Sequence, residues 1–169
     1  MIVFIVFIIA FILAVFVPLT ENGGNFMSSI DIAKIKSSYG VDLTKELDGV
    51  WHKSSFIDGL EFKVAREGNP NHSKLIRKLY KPYRKQVQAG KDLPDSVTDE
   101  ISAKLIVETL LIDWKGMPSV DGGEVPYSKD EAYSLLNQPE LRPLKEEIQD
   151  FAGDAAQYEL EINEEVEKN

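Results

Sequence analysis

Apolar residues follow a different rhythm in each stretch of this chain. Met1 to Leu19 is apolar throughout and carries no charged side chain. Residues 28–48 show only short alternation, which predicts an extended arm. Val50 and Trp51 then open a strand, Asp58-Gly59 offers a turn able to take positive φ, and Leu60, Phe62 and Val64 alternate with Glu61, Lys63 and Ala65. A period of two predicts a β-hairpin that presents Leu60, Phe62 and Val64 on one face. The run Glu67 to Asn71 breaks it.

Helical spacing takes over from Ser73. Leu75, Ile76, Leu79, Tyr80, Tyr83 and Val87 predict a helix as far as Ala89, with a kink at Pro82, which has no N–H to donate. A second helix is predicted from about Pro94-Asp95-Ser96, with Asp99 and Glu100 in a first turn that favours negative charge. From Leu105 to Trp114 it is apolar on nearly every side, which predicts the centre of the core, and Gly116 and Pro118 stop it. Ser128-x-x-Glu131 is a capping box for a short third helix that ends near Asn137. Pro139 suits the start of a fourth helix. That helix carries Leu141, Leu144, Ile148, Phe151, Ala155, Tyr158 and Ile162 at steps of three and four, a narrow seam for another helix. The predicted fold is α+β, mainly α: an N-terminal β-hairpin followed by about four helices. The boundaries are an apolar segment over 1–26, an arm over 27–48 and one domain over 49–169.

The apolar leader admits two readings. About 20 such residues span a hydrocarbon core of roughly 30 Å, so residues 1–19 read as a transmembrane helix. No Lys or Arg precedes the run and no small-x-small cleavage site follows Val17, so it makes a poor secretory signal. With Lys34 and Lys36 as the first nearby cations, an anchored protein would be a single-pass inner-membrane protein with its body in the cytoplasm. In the second reading translation starts at Met27 and the protein stays in the cytoplasm. Gly23-Gly24, encoded GGA-GGA, would then be the purine-rich ribosome-binding signal just upstream of it. Both readings stay open at this level.

Composition narrows the chemistry. There is no cysteine, which excludes disulfides, zinc–thiolate sites and thiol nucleophiles. A net charge of −9 argues against nucleic acid as a partner. The charge is split, however: Lys63 to Lys91 is strongly basic and Glu140 to Asn169 is acidic. The two histidines, His52 and His72, and the Asp113-Trp114 pair read as structural residues. Gly122-Gly123 lacks the Lys-Ser/Thr of a phosphate loop. No catalytic, cofactor-binding or metal-binding residue is expected. The expected partner-binding residues are Leu144, Ile148, Phe151, Tyr158 and Ile162, with Leu144 to Phe151 docking on the domain and Tyr158 and Ile162, beyond Gly153, free for a partner helix or a second copy.

The motifs Ala65 to Asn69, Lys81-Pro82, Asp113-Trp114-Lys115-Gly116, Asp121-Gly122 and Pro126-Tyr127-Ser128 occur in an order that resembles the phage tail assembly chaperones of long-tailed phages and prophages. The resemblance spans about Val50 to Phe151, and the apolar leader departs from it. It implies a non-enzymatic protein of the host cytoplasm that binds helical segments of the tape measure protein during tail morphogenesis; whether it forms a homo-oligomer is left open. The alternative is a single-pass membrane protein with a cytoplasmic protein-binding domain.

Overall fold

A computed structural model describes residues 30–161 of the chain. The leader Met1 to Leu19, Met27 and Ile162 lie outside the described residues. The chain divides into a short unit ending at Ile32 and a larger unit, Ala33–Asn169, that holds the sheet and the core.

The expected order, an N-terminal hairpin and then about four helices, is not what forms. Two helices, α1 (Ile32–Tyr39) and α2 (Leu43–Asp48), precede the hairpin where an extended arm was predicted. Neither has a buried residue, so no apolar stripe announces them. Helix α2 is set by its cap: Asp42 Oδ1 accepts from the N–H groups of Thr44 and Lys45 at 2.8 and 3.1 Å. The hairpin strands β1 (Val50–Lys53) and β2 (Glu61–Val64) pair antiparallel in the register Val50↔Val64 and His52↔Phe62. Leu60, Phe62 and Val64 are buried together, as their alternation predicts.

The sheet has a third strand, β3 (Leu111–Lys115), on the far side of β2. It comes from the stretch predicted as the end of the second helix. Helix α5 (Asp95–Leu105) runs into a π-helical turn, Ile106–Leu110, and at Leu111 the backbone becomes extended (φ −80°, ψ 103°). A run apolar in every direction carries no period, so it fits a buried strand as well as a buried helix. Ile112 is the extra residue of a bulge, since Lys63 faces Asp113 while Val64 faces Leu111. The run is nevertheless the centre of the core: Ile106, Val107, Leu110, Leu111 and Trp114 are buried.

Helix α3 (Pro70–Tyr80), a 3₁₀ turn at Lys81–Tyr83 and α4 (Arg84–Gln88) form the predicted kinked helix. It begins three residues before the predicted Ser73, at Asn69 as cap and Pro70 in the first turn. Asn69, 1 % exposed, ties this region together. Its Oδ1 accepts from the N–H groups of Asn71 and His72, both at 2.9 Å, and its Nδ2 donates to Arg66 O at 2.7 Å and Thr109 O at 3.2 Å. One side chain thus starts α3 and satisfies a carbonyl inside the π turn that leads to β3.

Helix α6 (Lys129–Leu136) is capped by Ser128, whose Oγ accepts from Glu131 N–H at 3.1 Å. Helix α7 (Arg142–Gly153) follows a 3₁₀ turn at Pro139–Leu141 and packs Ile148 and Ala152 into the core. The predicted fourth helix does not continue to Ile162. The backbone turns extended at Asp154 (φ −75°, ψ 101°), and a 3₁₀ turn, Ala155–Tyr158, leads into a strap. There Val41 pairs with Glu159, Asp42 N donates to Tyr158 O at 2.9 Å, and Leu160 N donates to Gly40 O at 3.0 Å. Among the described residues no helix is long and apolar enough to cross a membrane.

Candidate functional site

The expected partner-binding residues do not form one exposed stripe. Ile148 and Tyr158 are 0 % exposed, whereas Leu144 and Phe151 are half-buried. Ile162 lies outside the described residues. The correction matters most for Tyr158, which was expected to be free. Its hydroxyl donates to Val64 O at 3.0 Å, and its ring meets Phe151 edge-on with centroids 6.2 Å apart. Burial, assisted by the Asp154 charge, raises its phenol above the ordinary value. The physical reason is the break after Gly153: the stripe stays in phase, but the chain turns back and delivers Tyr158 to the sheet. Lys45 reinforces the strap through an ion pair with Glu161 at 2.6 Å.

An apolar groove of about 360 Å³ opens beside Leu144, between the β1–β2 loop and the start of α7. Phe56 and Ile57 from the loop, Met117, Leu135, Leu141 and Leu144 line it. Phe56 is 73 % exposed and Ile57 43 %, so the loop carries apolar surface into water. Residue Glu147 of α7 holds the loop in place. Its carboxylate accepts from Ser55 N–H, from Ser54 Oγ at 3.2 Å and bonds His52 Nε2 at 3.3 Å. Burial pushes the Glu147 carboxyl up, but the hydrogen bonds from Ser55, His52 and Ser54 outweigh it and hold the group below its ordinary value. The loop is a feature that sequence reasoning missed. Its signal was the adjacent pair Phe56-Ile57 in a segment otherwise rich in turn residues.

Ser54, His52 and Glu147 have the residue types of a hydrolase triad but not its geometry. Serine and histidine both bond the carboxylate, whereas nucleophilic catalysis needs the serine bonded to the histidine. His72 has a separate role, with Nδ1 accepting from Gly68 N–H at 3.2 Å. Among the described residues no three His, Cys, Asp or Glu side chains are placed to hold a metal ion. Asp113 and Trp114 lie in β3 rather than at a helix end, and Asp113 Oδ1 accepts from Trp114 N–H at 2.8 Å. Trp114 Nε1 donates to Val125 O at 2.8 Å, and its ring meets Tyr127 edge-on at 5.0 Å. The Tyr127 hydroxyl, pushed up to about 12 by burial and the charges of Glu108 and Asp113, donates to Leu111 O at 2.8 Å. These motif residues therefore build the sheet edge.

A second groove, of about 700 Å³, lies along the elbow between α3 and α4. Ile76, Tyr80 and Val87 form its apolar part, and Arg77, Lys81 and Arg84 edge it.

A family model described as YdaY prophage protein matches residues 67–169, more than half of the chain. Neither a curated protein nor a solved structure matches. The matched region begins just before Asn69, the cap of α3, and includes α7 and the Glu159 side of the strap, but not the Val41 side.

Proposed function

The chain belongs to the YdaY prophage protein family, and we propose that it is a non-enzymatic tail assembly chaperone that binds helical segments of the tape measure protein. A prophage origin supports this reading, as does the ordered motif set running from Ala65-Arg66 to Pro126-Tyr127-Ser128. The observation that carries it is the groove at Leu144, with Phe56 and Ile57 exposed at its edge. An amphipathic helix laid there would cover apolar surface that now faces water. Each fully covered large side chain contributes about 1.5–3 kcal/mol at most. With translation starting at Met27, such a protein would work in the host cytoplasm. The membrane-anchored alternative rests on residues 1–19, outside the described residues.

Co-expression with the tape measure protein tests the proposal. The wild-type chain should keep that protein soluble and co-purify with it. Phe56→Ser with Ile57→Ser should abolish co-purification while changing stability by no more than about 0.5 kcal/mol, because both side chains are exposed. A wild-type chain that neither solubilises nor retains the tape measure protein would refute the reading.

A further inference from the structure

We propose that the α3–α4 elbow is a docking groove for the acidic C-terminal segment of a second copy of this chain, joining copies head to tail. The groove has an apolar part, Ile76, Tyr80 and the 49 % exposed Val87, between three exposed cations, Arg77, Lys81 and Arg84. None of those cations makes an ion pair among the described residues, where the pairs use Lys45, His52, Lys129 and Lys145 instead. Residues 74–91 hold seven basic side chains and no acidic one. A chain with a net charge of −9 thus keeps a positive, partly apolar surface that no ion pair among the described residues neutralises.

The complement lies in the same sequence. Residues 159–169 hold five glutamates and one lysine. Within that segment Ile162 and Val166 are four apart, with Glu164, Glu165 and Glu167 around them, an apolar pair flanked by negative charge. Ile162 and Val166 match the apolar part of the groove, and the glutamates match Arg77, Lys81 and Arg84. Anchors from two different surfaces make a heterologous contact, which propagates into open chains unless the rotation closes a ring. The contact is small and charge-dominated, so it belongs to the weak, salt-sensitive class. It does not depend on tape measure binding, which is proposed for a different face.

A charge-swap experiment on the full chain tests it by sedimentation velocity. The wild-type chain should form oligomers that grow with protein concentration in about 0.1 M salt and dissociate in about 1 M salt. The groove variant R77E/K81E/R84E and the tail variant E164K/E165K/E167K should each be monomeric, with melting curves close to wild type. An equimolar mixture of the two should recover oligomers of alternating variants, because the groove of each variant then meets a tail of opposite charge on the other. A wild-type chain that stays monomeric at every concentration overturns the proposal. So does a mixture that stays monomeric. Oligomers unaffected by either reversal, with DNA or anionic vesicles binding the wild type but not the groove variant, would assign the groove to those partners instead.

Discussion

Asn69→Ala is the substitution whose cost follows most directly from the described geometry. It deletes the α3 cap, which typically costs about 1 kcal/mol. It also deletes both hydrogen bonds donated by Nδ2. Arg66 O keeps the Asn69 backbone N–H as a longer partner at 3.4 Å, so the larger loss falls on Thr109 O in the buried π turn. Leaving such a carbonyl unsatisfied costs about 1–3 kcal/mol. The sum is about 2–4 kcal/mol, or a Tm lower by roughly 8–16 °C at ~4 °C per kcal/mol for a domain of this size. Urea melts followed by tryptophan fluorescence and circular dichroism measure it. Asn69→Asp separates the two roles, because a carboxylate keeps the cap but aims at two carbonyl oxygens. It should therefore be no more stable than the alanine variant. If Asn69→Asp lies within about 0.5 kcal/mol of wild type, Nδ2 contributes nothing and the account of the clasp fails.

Gly116→Ala should cost at least about 2 kcal/mol, because φ is +69° and an added Cβ would lie 2.1 Å from Gly59 O; a thermal melt near wild type would refute it. Asp99→Asn should cost about 1–3 kcal/mol by leaving the Lys145 ammonium, 6 % exposed, without its partner at 3.1 Å. That is less than a fully buried pair would lose, since Asp99 is 40 % exposed, and Lys145→Met should be neutral or stabilising by the same denaturant assay. The lowered Glu147 pKa sets a direction for acid sensitivity: its contribution is complete above the ordinary value of 4.5 and is lost as pH falls through the depressed folded value. Glu147→Gln should therefore destabilise at about pH 7 and flatten the stability-versus-pH curve below about pH 4.5; an unchanged acid limb would refute the anchoring role.

What could be read in the sequence was contact with the core, more than backbone shape. Leu60, Phe62 and Val64 alternate and are buried together, and Gly59 takes the turn at φ +81°. Ile106 to Trp114 was legible as core but not as a π turn followed by a strand, since a segment apolar on nearly every side has no period to read. Helices α1 and α2 were illegible for the opposite reason: Ile32 and Ile35 of α1 stay 41 % and 47 % exposed, Leu43 and Leu47 of α2 71 % and 43 %, and α2 is set by its Asp42 cap. Tyr158 was recognised as an anchor and given the wrong partner. Nothing in a stripe of steps of three and four says that the backbone breaks at Asp154 and returns the ring to Val64. The candidate groove was legible only at Leu144, because its other wall is a loop whose position depends on Glu147, more than ninety residues away.

The strap has a topological consequence. Val41 and Glu159 are paired, and Lys45 reaches Glu161 across 116 positions of sequence, so the path into the body and the path out of it run side by side. Neighbouring antiparallel partners are separated by about 5 Å. Spliced into a longer polypeptide, the body would hang from it as a side loop rather than act as a spacer, and the flanking segments would stay as close as two residues on adjoining strands. Any load pulling those segments apart would meet the Val41–Glu159 pairing first and peel the domain from that seam inward.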